Sequence, residues 1–141
     1  GAIALSLASE RPSWQVTATD YFHEVVLLAK RNAEKHKLSN TNIFQSDWFS
    51  QIPQERFDLI VSNPPYIDPE DKHLAEGDVR FEPLSALIAN KKGLADIEHI
   101  IGQAKSYLKK DAWLVLEHGY DQAESVQNLF KQADYHSIQT I

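Results

Sequence analysis

The chain has 141 residues, 43% of them hydrophobic and 24% charged, and no apolar run reaches the roughly 18 residues that a membrane-spanning helix requires, so we expect one domain of a cytoplasmic protein. Cysteine is absent, which excludes disulfides and thiolate zinc sites, and the histidines show no metal-ligand spacing, so no bound metal is expected. The formal net charge of −6 disfavours a large nucleic-acid-binding face, because affinity for phosphates comes largely from Lys and Arg.

The predicted elements alternate between helix and strand, as judged from apolar periodicity and turn residues. In chain order they are helix 2–8, strand 14–19, helix 21–38, strand 42–45, strand 57–62, helix 94–108, strand 112–117, helix 122–133 and strand 137–141. This alternation predicts an α/β fold with a mostly parallel sheet and helices on both faces. Strand 57–62 is the most apolar, and we expect it to be buried on both faces.

The two ends of the chain look incomplete. Helix 2–8 begins without a preceding strand or a capping residue, and strand 137–141 ends without a partner. We therefore expect a fragment that is truncated at both ends. The polar segment from Ile67 to Pro83 is long for a connection inside a domain, with five acidic residues between Asp68 and Asp78, and loops of this kind are usually functional or disordered.

Polar and aromatic residues follow the predicted strands. In open parallel sheets, ligands bind at the carboxyl ends of the strands. The sequence therefore predicts one site at this edge, built from Asp20, residues 45–48, residues 63–66 and residues 117–119.

Asp20 and Gly1 are candidates for cofactor binding. Asp20 ends a strand nineteen positions after Gly1, close to the interval of roughly 20 residues at which dinucleotide-type folds place a carboxylate on ribose hydroxyls. Alternatively, Asp20 only caps the following helix. Gly1 is placed as the last glycine of a turn where a cofactor lies against the backbone and a helix N-terminus; alternatively, it is an ordinary residue at the chain end.

Asp47 and Trp48 follow the next strand. The carboxylate could accept the amine of an adenine, and the indole could cover the ring face. The alternative is that the aromatic pair Trp48-Phe49 only packs in the core, since aromatic side chains bury large apolar areas.

The segment Asn63-Pro64-Pro65-Tyr66 is the sharpest signal. Its two prolines fix the turn, supply no N–H, and leave carbonyl oxygens available to a ligand. The Asn63 side-chain oxygen and the Pro64 carbonyl could accept both hydrogens of a planar NH₂ group, which aims its nitrogen at a methyl donor, while Tyr66 packs on the flat group. The alternative is a rigid turn without chemistry.

At these residues the chain resembles the Asn-Pro-Pro-Tyr methyltransferases, which modify nucleic-acid amines or protein glutamine amides. Further strings make it closely similar to the HemK/PrmC family, and the resemblance covers the chain essentially end to end. These strings are Val61 to Ile67, Gly77 to Pro83, Ala86-Leu87, Gly93-Leu94 and Leu116 to Gly119.

The resemblance implies a Rossmann-like class I fold that uses S-adenosylmethionine. It further implies methylation of the side-chain amide nitrogen of the glutamine in the Gly-Gly-Gln motif of class I peptide chain release factors. Asn63, Pro64, Pro65 and Tyr66 would then form the catalytic segment, with Asn63 also contacting the cofactor.

For the remaining residues, the resemblance implies that Asp20 holds the ribose, Asp47 and Trp48 flank the adenine, and Gly1 closes the Gly-rich loop. Residues 1–141 would be an incomplete catalytic domain without its first strand, its N-terminal helical domain and its last strand. The Phe81-Glu82-Pro83 segment is similar to a family signature near the active site, and it is assigned no separate role.

Two other functions remain alternatives. A methyltransferase for exocyclic amines of nucleic-acid bases would need a basic groove and a pocket for a flipped base. A non-catalytic nucleotide-binding module would have no use for a rigid turn that presents carbonyl oxygens.

Overall fold

The computed structural model describes residues 1–67 and 87–141. Most of the predicted 67–83 loop, including Phe81-Glu82-Pro83, lies outside these residues. The chain forms two compact units, Gly1–Pro53 and Gln54–Ile141. Within the described ranges, no helix has the length and apolar character needed to cross a membrane.

The first unit contains two helices and a pair of parallel strands. Its elements are α1 (Ala2–Glu10), β1 (Val16–Asp20), α2 (His23–Lys35) and β2 (Thr41–Gln45). The strands pair in register from Val16 with Thr41 to Asp20 with Gln45. The two strands therefore end at the same edge.

The core of the first unit lies between α2 and β2. Val26, Ala29 and Ala33 recur at helical spacing, so they form one buried stripe of α2, and this stripe packs with Ile43 of β2. The side-chain amide of Asn40 donates to the carbonyls of Ala8, Arg11 and Trp14, at 3.1, 3.4 and 3.0 Å. This amide ties the turn after α1 to the start of β2.

The second unit also combines helices with a pair of parallel strands. Its elements are β3 (Phe57–Ser62), α3 (Asn90–Gly93), α4 (Ala95–Ala104), a 3₁₀ turn (Lys105–Tyr107), β4 (Leu108–Leu116) and α5 (Ala123–Gln132). Strands β3 and β4 are parallel and pair from Leu59 with Trp113 to Ser62 with Leu116. Ile97 and Ile101 of α4 and Val126 of α5 are buried together, which holds both helices against β4 through Leu114 and Leu116. Parallel strands and the α/β class are thus confirmed.

Two expectations about strands are wrong. Residues 137–141 form no strand, because no strand in the described part of the chain pairs with them; Thr140 is held instead by the side chain of Gln127, at 3.0 Å. Strand β3 is only half-buried within its unit. Its exposed Asp58 accepts a hydrogen bond from Lys109 at 2.8 Å.

Strand β4 begins four residues earlier than predicted, and the helix before it ends earlier. Leu108 is buried and pairs with Phe57. The polar residues 109–111 hide this start, because Lys and Asp are poor strand formers. Asp111 has a positive φ of 62° and lies where the register between β3 and β4 shifts, so the early part of β4 is irregular.

Candidate active site

The Asn-Pro-Pro-Tyr segment leaves the end of β3 as a turn. The pairing of β3 with β4 continues one step beyond the strands, since the N–H of Glu117 donates to the carbonyl of Ser62 at 3.0 Å. Beyond this point Asn63 is exposed, Pro64 is buried, and Pro65 and Tyr66 are half-buried. The buried proline anchors the turn, while the Asn63 side chain stays accessible to a ligand.

Tyr66 is held at its ring and at its backbone. Its hydroxyl donates to a carboxylate oxygen of Glu117 at 2.8 Å, and its carbonyl accepts a hydrogen bond from Nε2 of Gln122 at 2.9 Å. The Oε1 atom of Gln122 accepts the N–H of Gly119 at 2.8 Å. We name Tyr66, Glu117, Gln122, Gly119 and Gly93 the Tyr66 clamp.

Gly93 completes the Tyr66 clamp because only glycine fits there. Its φ is +77°, and a Cβ built on it would overlap the carbonyl oxygen of Tyr66 and come within 2.6 Å of Nε2 of Gln122. The left-handed conformation is itself unfavourable for other residues. The glycine of the Gly93-Leu94 string thus has a structural explanation in the site.

The chain beyond Tyr66 is also fixed. The N–H of Ile67 donates to the carbonyl of Leu87 at 2.9 Å, and the N–H of Ala89 donates to the carbonyl of Ile67 at 3.0 Å. Leu87 and Ala89 are buried. The end of the Asn-Pro-Pro-Tyr segment is therefore attached to the residues that lead into α3.

Gln122 was missed by sequence reasoning. A glutamine at the start of an amphipathic helix is typical of a solvent-facing first turn, and nothing local indicates that it bonds a residue 56 positions away. The available signal is its position three residues after Gly119, where its own N–H also donates to the Gly119 carbonyl at 3.0 Å.

In the first unit, Asp20 stands at the shared edge of β1 and β2. Its carbonyl accepts the N–H of Ser46 at 3.0 Å, and its Oδ1 accepts the N–H of Phe22 at 3.0 Å. Because α2 begins only at His23, this bond orders the turn before the helix. Local ordering of the turn and ligand binding by the same carboxylate are compatible.

Trp48 has an uncommon backbone conformation for a bulky residue. Its φ is +48°, a region that costs most residues about 1–2 kcal/mol. The buried Ser46 compensates, because its hydroxyl donates to the Trp48 carbonyl at 2.9 Å and accepts the N–H of Gln51 at 3.0 Å. Phe49 is buried, as core packing predicts, whereas Trp48 is half-buried and Asp47 is exposed.

Gly1 has a packing reason to lack a side chain. A Cβ at this position would lie 2.8 Å from the Cβ of Ala29 in α2, which is closer than two carbons approach without a shift. Its carbonyl accepts the first helical bond of α1, from the N–H of Leu5 at 3.0 Å.

The predicted site residues thus divide between the two units. The first unit contains Gly1, and it brings Asp20 together with Asp47 and Trp48 at one edge of its strands; the second contains residues 63–66 and the Tyr66 clamp. Elsewhere in the second unit, burial raises the pKa of Tyr135 above its ordinary value of 10.0. The hydroxyl of Tyr135 donates to the carbonyl of Ile101 at 3.1 Å.

Parallel strands between helices, with an Asn-Pro-Pro-Tyr turn held rigidly at a strand end, are the features of an α/β methyltransferase domain. Residues 1–78 match the family described as methyltransferase small domain, and the chain belongs to this family. Enzymes of this kind use S-adenosylmethionine in general.

The chain is also similar to curated proteins named release factor glutamine methyltransferase. It is 52% identical over 140 residues to those of Escherichia coli (strain K12) and Salmonella typhimurium (strain LT2), covering 99% of this chain and 50% of each relative. It is 50% identical over 141 residues to that of Shewanella oneidensis, covering 100% of this chain and 49% of the relative. The chain thus spans about half the length of these relatives, and the resemblance predicted from the sequence is confirmed.

Proposed function

We propose that this chain is the catalytic domain of a protein that methylates the side-chain amide nitrogen of a glutamine, using S-adenosylmethionine. The substrate is the glutamine of the Gly-Gly-Gln motif in class I peptide chain release factors. The observation that carries this proposal is the Asn-Pro-Pro-Tyr segment itself, with an accessible Asn63 and a backbone fixed by the Tyr66 clamp. The names of the relatives support the choice of substrate.

The chemistry explains why a rigid acceptor pair is useful. The lone pair of a planar amide is delocalised, so its nitrogen attacks poorly. The Asn63 side-chain oxygen and the Pro64 carbonyl accept its two hydrogens, which aims the nitrogen and favours its loss of planarity. The nitrogen would then form a bond to the methyl carbon as the bond from that carbon to the sulfonium sulfur breaks, so that S-adenosylhomocysteine is the other product. The methylated nitrogen would lose one proton to water after the transfer, and no strong base is needed before it.

Positioning is the main catalytic contribution in this proposal. Holding nucleophile and methyl group in line contributes up to roughly 7–11 kcal/mol to lowering a barrier. Tyr66 packs against the flat amide, and its hydroxyl bond to Glu117 keeps the ring in one orientation. The protein therefore accelerates the transfer by holding the reacting groups in position.

The residues at the edge of β1 and β2 fit the chemistry of the cofactor. Asp20 supplies a carboxylate for ribose hydroxyls, Asp47 an acceptor for the adenine amine, and Trp48 an aromatic face. The registered strand ends and the Ser46 bonds fix these residues locally, and Gly1 stands at the N-terminus of α1. When bound, S-adenosylmethionine supplies the electrophilic methyl group.

The variant Asn63→Ala tests the proposal in the full-length protein. It should abolish methyl transfer to a release factor, because an acceptor for the amide hydrogens is lost, while the Kd for S-adenosylmethionine stays nearly unchanged. The matched control is Asn128→Ala, since Asn128 is also exposed and lies in α5 of the same unit. Loss of transfer and cofactor binding together, or full activity of Asn63→Ala, would contradict the proposed role.

A further inference from the structure

Both polar atoms of the Gln122 side-chain amide form hydrogen bonds. Nε2 donates to the Tyr66 carbonyl at 2.9 Å, and Oε1 accepts the Gly119 N–H at 2.8 Å. Because one neighbour is an acceptor and the other a donor, only one orientation of the amide satisfies both. Gln122 therefore links the turn after β4 to the last residue of the Asn-Pro-Pro-Tyr segment.

This link matters because the segment has few backbone donors of its own. Pro64 and Pro65 carry no N–H, so neither can be anchored by donating to a neighbouring strand. The Tyr66 carbonyl is a backbone acceptor at the end of the segment, and Gln122 donates to it at 2.9 Å. Gln122 occupies it from one side, and the absence of a side chain at Gly93 leaves room for the contact.

Glu117 and Gln122 hold different parts of Tyr66. The Glu117 bond ends on the ring hydroxyl and fixes the ring. The Gln122 bond ends on the backbone carbonyl of Tyr66. Only Pro65 lies between Tyr66 and Pro64 in the chain. A shift of the Tyr66 peptide therefore changes the direction of the acceptors that aim the substrate nitrogen.

We propose that Gln122 is a positioning residue for methyl transfer. Its amide fixes the Tyr66 peptide and, through it, the direction in which the Asn-Pro-Pro-Tyr segment presents its acceptors. Gln122 acts through Tyr66, so its loss slows the transfer without weakening binding. The inference rests on the proposed function, because it concerns the same segment.

Two substitutions separate the two ends of the amide. Gln122→Glu keeps an acceptor for the Gly119 N–H but places an oxygen against the Tyr66 carbonyl. Gln122→Lys keeps a donor for that carbonyl and loses the acceptor. The control is Gln127→Glu in α5, which makes the same charge change and loses a different Nε2 bond, to Thr140.

The experiment measures kcat, the KM for a release factor and the Kd for S-adenosylmethionine in the full-length protein. Gln122→Glu should lower kcat roughly 10- to 100-fold, the size of effect that follows a misplacement of about 1 Å. KM and Kd should stay nearly unchanged. Gln122→Lys should lose less kcat than Gln122→Glu, and Gln127→Glu should behave like the unsubstituted protein.

Several results would overturn the inference. These are an unchanged kcat in Gln122→Glu, equal losses in the Glu and Lys variants, a raised KM with normal kcat, or a variant that no longer folds, since each makes the amide dispensable or merely structural. If the unsubstituted protein itself fails to methylate a release factor, the proposed function is refuted and the inference falls with it. If it does methylate the factor, the variants judge the inference alone.

Discussion

Replacing Gly93 by alanine should destabilise the protein. The Gly93 backbone has a φ of +77°, in the left-handed region that costs a residue with a Cβ about 1–2 kcal/mol. The added methyl group would overlap the Tyr66 carbonyl oxygen and lie 2.6 Å from Nε2 of Gln122. Forcing such neighbours aside costs about 1–3 kcal/mol more.

The two costs together predict a loss of about 2–5 kcal/mol in the free energy of unfolding. Gly102 is the matched control, because a Cβ there meets nothing within 4 Å and the residue is exposed in α4. Gly102→Ala should therefore stabilise the helix by about 0.5–1 kcal/mol. The same chemical change thus has opposite signs at the two glycines.

Urea unfolding followed by circular dichroism measures both changes. The midpoint for Gly93→Ala should fall and that for Gly102→Ala should rise, with similar slopes m for both variants. A stability of Gly93→Ala equal to or above that of the unsubstituted protein would refute the reasoning. So would a shift of both variants in the same direction.

Three further variants test the local structure of each unit by urea unfolding. Gly1→Ala should lower the free energy of unfolding by about 1–3 kcal/mol through its contact with Ala29. Adding Ala29→Gly should restore part of this stability in a double-mutant cycle, and additive losses would disprove the contact. Ser46→Ala should lower the free energy of unfolding by about 1–3 kcal/mol and alter the fluorescence of Trp48. An unchanged emission spectrum would contradict the proposal that the Ser46 hydroxyl holds the Trp48 backbone. Burial raises the pKa of Tyr135, so the contribution of the protonated Tyr135 hydroxyl to stability is complete below about pH 10 and is lost as the pH rises through the folded-state pKa. Tyr135→Phe should therefore reduce the loss of stability at alkaline pH. An identical dependence of stability on alkaline pH in both proteins would refute this.

Elements with a strong apolar pattern could be predicted from the sequence. The predicted bounds of strand β3 agree with the structure, because most of its residues are apolar and it lies between charged residues and a proline pair. The start of β4 could not be predicted, since residues 109–111 are polar and only the flanking Leu108 and Trp113 are in register with β3. Residues 137–141 have the alternation of a strand, but pattern alone does not supply a pairing partner.

The site likewise has residues that the local sequence predicts and residues that it does not. The Asn-Pro-Pro-Tyr turn and Asp20 follow from their positions after apolar strands, which is local information. Gln122 and Gly93 depend on contacts with Tyr66 across long sequence separations, and the left-handed backbone of Trp48 depends on a buried serine. Local periodicity contains no trace of such tertiary contacts.

The most direct test of the central claim identifies the methylated polymer. The full-length protein is incubated with methyl-labelled S-adenosylmethionine, a class I release factor and DNA together, and the labelled residue is located by mass spectrometry. We expect the label on the side-chain amide of the Gly-Gly-Gln glutamine. Label on DNA alone, or on the release factor at any other residue, would contradict the account.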